Sequence, residues 1–182
     1  MIFRAVEDAD LIARVRKGDV EAFNHLVSRW EKRVFNYLLR LTGNPEDSMD
    51  LSQDVFLKAY QSIRKLDDTA RFGPWIFRIA HNEAYSMFRK RRPEVDADDV
   101  SIIEREPARG AHPDLTIAVT SALDRLTPEQ REAVVLKVYE GFKFEEMAEI
   151  LGTPVSTIKS RLYTAFDLLK ADLTPTSSRG IR

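Results

Sequence analysis

Residues 141–162 read GFKFEEMAEILGTPVSTIKSRL, and this stretch predicts a short helix, a tight turn and a longer helix with a polar outer face. Met147, Ala148 and Leu151 fall on one face of the first helix. Gly152 can take the left-handed conformation that ends it. Thr153-Pro154 then blocks continuation, because proline lacks the amide hydrogen and its ring clashes with the preceding turn. Ser156 or Thr157 is placed to cap the second helix, in which Ile158, Leu162, Ala165, Phe166 and Leu169 recur at helical intervals as a buried stripe. The opposite face carries Ser160, Tyr163, Thr164 and Asp167, flanked by Lys159 and Arg161. Short polar and aromatic side chains between cations suit a helix in the DNA major groove, where they meet base edges while the cations hold phosphates. An ordinary amphipathic helical hairpin shows the same periodicity.

Upstream of this stretch, residues 113–126 predict a helix carrying Leu115, Val119, Ala122, Leu123 and Leu126. Thr127-Pro128-Glu129-Gln130 has the form of a capping box with proline at the first helical position. The helix it starts buries Ala133, Val134, Val135 and Val138 and supports the helix-turn-helix. Between residues 93 and 113 periodicity disappears, with Pro93, Pro107, Gly110 and Pro113 as breakers, so that segment reads as a tether. The tail, residues 174–182, is expected to fray.

The N-terminal part is helical throughout. A short helix over residues 10–16 ends at Lys17-Gly18, and Phe23, Leu26, Val27, Trp30, Val34, Tyr37, Leu38 and Leu41 mark a long one ending at Gly43. Asn44 caps the next, with Pro45 at its first position and Asp47 as a capping-box-like partner. That helix runs to about residue 63 with Leu51, Val55, Phe56, Ala59, Tyr60 and Ile63 inward and an acidic outer face of Glu46, Asp47, Asp50 and Asp54. A loop over residues 64–73 follows, and Pro74 opens a third helix to residue 91. There Ile76, Ile79, Ala80, Ala84 and Met87 face one side, and Arg78, Asn82, Tyr85 and Arg89 the other. An aromatic among cations and an amide is a composition that binds unpaired or distorted nucleic acid, although a solvated face with a basic end that favours the helix dipole has the same content. Trp30 and Trp75 read as core residues.

Whole-chain numbers bound the function classes. The 182 residues suffice for one medium domain or two small ones, 43% hydrophobic content can build real cores, and 31% charged residues keep the surface soluble. The chain has no apolar run long enough to span a bilayer, and residues 1–10 carry acids where a secretory signal needs a basic and then an apolar stretch. The expected location is the cytoplasm, with no membrane insertion. The absence of cysteine excludes disulfides and thiolate zinc sites, and His25, His81 and His112 are too scattered to form a metal-ligand set. No phosphate-binding GxxxxGK[ST] loop or serine elbow occurs, so the expectation is a protein that is not an enzyme and uses no cofactor, metal or small-molecule substrate. The net charge of −1 averages over a strong polarity. Residues 71–92 hold Arg71, Arg78, Arg89, Lys90, Arg91 and Arg92 against Glu83, a local +5, and residues 94–106 hold Glu94, Asp96, Asp98, Asp99, Glu104 and Glu106 against Arg105, a local −5. A basic surface is followed by an acidic tether.

Four stretches in one order carry a family resemblance: NPEDSMDLSQDVFL (44–57), WIFRIAHN (75–82), LTPEQRE (126–132) and residues 141–162. Together they resemble the bacterial sigma factors of the extracytoplasmic-function group, within the sigma-70 family, over roughly residues 8–173. The resemblance implies an all-α chain of two small helical domains joined by an acidic flexible linker. Residues 1–92 would be region 2, 93–112 the linker, 113–173 the region 4 helix-turn-helix and 174–182 a disordered tail. The implied function is transcription initiation: the chain binds core RNA polymerase and directs it to promoters. Asp47, Asp50, Gln53 and Asp54 would bind the coiled coil of the largest polymerase subunit, and region 4 the polymerase flap. Arg78, Asn82, Tyr85 and Arg89 would bind and help melt the minus-ten element, capturing a flipped base. Ser156, Thr157, Lys159, Ser160, Arg161, Tyr163 and Thr164 would read the minus-thirty-five element. The linker would thread toward the RNA path, and an anti-sigma partner is implied for regulation.

The chain departs from the family pattern at identifiable places. Ser48 and Met49 stand where the family usually has alanine and glutamate, Leu66-Asp67 replaces an aromatic-arginine pair, and Ser86 replaces an aspartate. Ser156 replaces a glycine, and Thr164 and Phe166 replace arginines, so the recognition helix has fewer phosphate contacts and a weaker salt dependence. Two other readings share part of the pattern: a two-domain DNA-binding regulator, and a polymerase-binding adaptor that does not initiate. Against the regulator, residues 1–92 show no alternating strands and do carry an acidic face followed by a basic-aromatic helix.

Overall fold

The computed structural model describes residues 7–91, 122–123 and 125–173. The linker and tail, and most of the helix expected over residues 113–126, therefore lie outside the described residues. Among the described residues there are only helices, turns and connections, with no strand, in agreement with the all-α expectation. They form two compact units, one built on four helices from the N-terminal half and one on the C-terminal helices.

In the first unit, α1 spans Asp8–Arg16, with acids in its first turn and arginines in its last, the order the helix dipole favours. It starts two residues before the expected position 10, because Asp8 is held from α2: its carboxylate accepts Trp30 Nε1 at 3.0 Å and Arg29 Nη1 at 2.8 Å. Trp30 is thus half-buried and not a core residue, since its indole N–H requires a polar partner. Trp75 is also half-buried, leaning on Phe72 with centroids 5.7 Å apart. Both corrections have one cause, a large ring whose edge stays at the surface.

Helix α2, Val20–Thr42, is capped by Asp19, whose carboxylate accepts Ala22 N–H, and ends at Gly43 in the left-handed region with φ 69°. Helix α3, Pro45–Ser62, begins with Asn44 Oδ1 accepting the N–H groups of Glu46 and Asp47 at 2.8 and 3.2 Å. The expected reciprocal role of the Asp47 side chain in this cap is not found, because its carboxylate is paired with Arg91. Ser48 is fully buried at the α2–α3 corner, its Oγ donating to Asn44 O at 2.6 Å and lying 2.8 Å from Thr42 Oγ1.

The segment expected as a plain loop contains two 3₁₀ turns, Ile63–Lys65 and Thr69–Arg71. Leu66 between them is buried, and its carbonyl accepts a hydrogen bond from the Arg16 guanidinium. Helix α4, Phe72–Arg91, starts two residues before Pro74, which the first helical turn tolerates because its amide needs no intrahelical acceptor. Phe72, Ile76, Phe77, Ala80 and Ala84 are buried, and Phe77 meets Tyr37 of α2 at 5.0 Å between centroids. The expected apolar positions Ile79 and Met87 are half-buried.

In the second unit, Thr127 and Gln130 form the expected reciprocal cap of α5, Pro128–Val134. The chain then widens into a five-residue π-helical turn, Val135–Tyr139. This corrects the predicted inward stripe: the wider turn advances the register, so Leu136 is fully buried while Val138 is 58% exposed. Arg131 and Glu132, which carry no apolar signal, are also buried, with Arg131 Nε donating to Leu123 O at 3.0 Å. Helix α6 spans Phe144–Leu151, with Met147 fully buried, and α7 spans Val155–Leu173. Gly152 between them has φ 59°, the left-handed turn the sequence predicts. Because α7 starts at Val155, Ser156 and Thr157 lie inside its first turn and neither stands as the residue before it. Ile158, Leu162 and Ala165 are buried as expected, Leu169 is half-buried, and Phe166 is 38% exposed. Phe166 thus falls on the edge of the solvent face and not in the stripe.

Candidate nucleic-acid interface

Helices α3 and α4 pack antiparallel, since the start of α3 meets the end of α4. Arg91 donates two hydrogen bonds to Asp47, both 2.6 Å, and Lys58 pairs with Glu83 farther along. The outer face of α3 presents Asp50, Gln53 and Asp54, all exposed, none with an ion pair among the described residues. Two apolar residues lie among them, Met49 at 52% exposure and Leu57 at 56%. Sequence periodicity did not mark them as part of this face, although both fall outside the inward stripe of α3. Asp47 differs from the other three residues predicted beside it, because only 16% of its side chain is exposed and its carboxylate faces Arg91. The hydrogen bond from Arg91 to Asp47 raises the guanidinium pKa further.

On α4, Arg78, Asn82 and Arg89 are exposed along one face, as their spacing predicts. Tyr85 is half-buried, with the His81 ring 4.4 Å away and the Phe88 ring 5.7 Å away between centroids. The structure therefore brings the four predicted residues onto one face but leaves the tyrosine edge-on within an aromatic row. An anion or a base approaching α4 meets two guanidinium groups, an amide and a partly open ring, a set that can hold phosphate, hydrogen-bond a base edge and stack.

On α7, Ser156, Thr157, Lys159, Ser160, Tyr163 and Thr164 are exposed and Arg161 is half-buried. The predicted reading face is therefore continuous except at Arg161. Lys159 Nζ lies 5.2 Å from the Phe144 ring centre, and Lys137 Nζ of the π turn lies 4.8 Å from the same centre. Cation–π attraction holds two ammonium groups beside the first helix of the motif. Lys137 was missed by sequence reading because only the π turn and its hydrogen bond to Phe142 O bring it there. The acid Glu146 accepts Lys143 N–H at 2.7 Å and so caps the start of α6.

Among the described residues no cluster of histidine, aspartate or glutamate can hold a metal ion, and no helix is long and apolar enough to cross a membrane.

Comparison with known proteins agrees with this geometry. Residues 26–94 match the family described as Sigma-70 region 2, and residues 116–169 match Sigma-70, region 4. The ECF RNA polymerase sigma-E factor of Escherichia coli (strain K12) is 32% identical over 184 residues, covering 92% of this chain and 95% of that protein. The RNA polymerase sigma-H factor of Pseudomonas aeruginosa is 28% identical over 183 residues, covering 93% of this chain and 95% of that protein. The sigma factor RpoE of Bartonella quintana, solved in complex with the anti-sigma factor NepR, superposes with a TM-score of 0.71 at 31% identity, covering 85% of this chain and 98% of that one. Acidic and basic helix faces in one unit, a helix-turn-helix in the other and similarity along nearly the whole length lead to one conclusion: this chain belongs to the extracytoplasmic-function group of sigma-70 factors, transcription initiation factors that direct RNA polymerase to promoters.

Proposed function

We propose a division of labour among the faces. The outer face of α3, with Asp50, Gln53 and Asp54 and with Asp47 at its edge, binds the coiled coil of the largest subunit of core RNA polymerase. The exposed face of α4, with Arg78, Asn82, Tyr85 and Arg89, binds the minus-ten element and captures an unstacked base. Helix α7 reads the minus-thirty-five element through Ser156, Thr157, Lys159, Ser160, Arg161, Tyr163 and Thr164, while the second unit also meets the polymerase flap. Residues 1–92 and 113–173 act as the two working domains, with 93–112 as an acidic tether toward the RNA path and 174–182 as a tail. The observation that carries this reading is the packed α3–α4 pair, whose two outer faces are acidic on one helix and basic on the other.

Strand opening of this kind needs no nucleotide hydrolysis. Unstacking a base costs a few kcal/mol, which binding in a protein pocket offsets. The chain therefore works as a dissociable subunit in the cytoplasm, without cofactor, metal or small-molecule substrate. The complex described for the Bartonella quintana relative supports an anti-sigma factor as a further partner.

Replacing Asn82 and Arg89 together with alanine tests the assignment of α4. Promoter opening by the reconstituted holoenzyme, followed by permanganate reactivity of unpaired thymines, is expected to fall at least tenfold, the scale of two lost polar contacts. Affinity for core polymerase is expected to stay within about twofold, since neither side chain lies on α3. Equal losses in both measurements would show that the stripe only supports the fold.

A further inference from the structure

Arg91 closes the basic run at the end of α4, and composition alone would count it among the phosphate contacts. Its surroundings give it other work. Asp47 lies in the first turn of α3, where the helix dipole favours an anion, and Arg91 in the last turn of α4, where it favours a cation. Antiparallel packing brings these two favoured ends together, and the guanidinium meets both carboxylate oxygens in a fork, at 2.6 Å each. Arg89 and Lys90, its neighbours, are exposed and make no ion pair among the described residues. Asp50, Gln53 and Asp54 follow in the second and third turns of α3, so the direction in which they project is set by how the first turn is held.

We propose that Arg91 is a positioning residue for polymerase binding: through its fork on Asp47 it sets the first turn of α3, and Asp47 acts as the anchor of that turn, leaving the polymerase contacts to Asp50, Gln53 and Asp54. The proposal rests on the reading of α3 as the polymerase-binding face. It ties the helix that binds polymerase to the helix that holds DNA, and it removes one arginine from the phosphate-contacting set.

The test is a double-mutant cycle on the full chain, titrated into core RNA polymerase with a fluorescent label, with Asp47→Ala, Arg91→Ala and the pair. Each single variant is expected to weaken binding roughly threefold to tenfold, and the double variant no more than either single one. Arg91→Lys, which keeps the charge but offers no fork, is expected to fall between wild type and Arg91→Ala. The thermal midpoint should move by less than about 4 °C, because the Arg91 side of the pair stays open to solvent, which screens its contribution to global stability. In holoenzyme, the salt dependence of promoter binding should be unchanged by Arg91→Ala, while Arg89→Ala should lower the log–log slope by about one.

Additive losses for Asp47 and Arg91, or a lowered salt slope for Arg91→Ala, would overturn the clamp. Asp50→Ala with Asp54→Ala separates the two levels. No loss of polymerase binding there overturns the reading of the face and the proposal with it, whereas loss there beside an additive cycle overturns the clamp alone.

Discussion

Ser48 shows how a single side chain at an expected binding surface can belong to the interior. It stands where the resembling family usually has alanine, but it is fully buried and bonded to Asn44 O and Thr42 Oγ1. Ser48→Ala should cost about 1 kcal/mol of stability, the net worth of one buried hydrogen bond, with no change in affinity for polymerase; denaturant unfolding and core titration check the two halves. Asp19 gives a second outcome, in pH. The Ala22 N–H and then the Arg14 guanidinium lower its pKa below the ordinary value of 3.8. A carboxylate whose folded pKa is depressed adds stability above its unfolded pKa and loses it as pH falls through the folded value. The gap in thermal midpoint between wild type and Asp19→Ala should therefore be full near neutrality and shrink as pH falls below 3.8. A gap that does not vary with pH would contradict this. At this scale the caps at Asn44 and Thr127 were legible, because each acts within three residues, whereas the cap at Asp19 was not read from the sequence. The Arg91–Asp47 pair was not, because the partners are 44 positions apart and only packing joins them.

Helices show where periodicity holds and where it slips. The inward stripes of α2 and α3 follow the spacing of most of their apolar residues, since undisturbed α-helical geometry repeats every 3.6 residues. The exceptions are Val27 and Trp30, which are half-buried, and Tyr60, expected inward but 43% exposed with its ring against Phe23 at the edge of the stripe. In the C-terminal unit the π turn adds width that no local propensity announces, so Val138 was expected inside and stands outside, with Leu136 in its place. Leu66 was read as part of a loop and is a buried anchor between two 3₁₀ turns. A lone leucine among charged residues was the available signal for that. On α7, Phe166 at 38% exposure borders the face proposed to meet DNA. Phe166→Arg should restore a phosphate contact and raise the log–log salt slope of promoter binding by about 0.9. A shift in affinity without a change of slope would place this position away from the DNA backbone.

Across the whole chain, a net charge of −1 conceals a basic stretch at the end of α4 and an acidic one after it. Resolving charge by segment, and not its total, made a nucleic-acid partner plausible from sequence. Fold class was legible because every apolar repeat outside the breaker-rich segment is helical. The two units each match one region of the sigma-70 family, in the order the motifs predict. The division of the outer faces between polymerase and DNA was less legible, since it depends on which side of a packed pair each charged residue takes. The sequence already placed the acidic residues and the basic ones on successive helices; the packing of α3 on α4 adds that Asp50 and Asp54 stay exposed while Asp47 turns to Arg91.

The most direct test adds the purified chain to sigma-free core RNA polymerase on fragmented genomic DNA and maps transcript starts. The account predicts new starts, absent with core alone, that share two sequence boxes upstream at the minus-ten and minus-thirty-five positions. No new starts, or protection of the same DNA by the chain without polymerase, would contradict it.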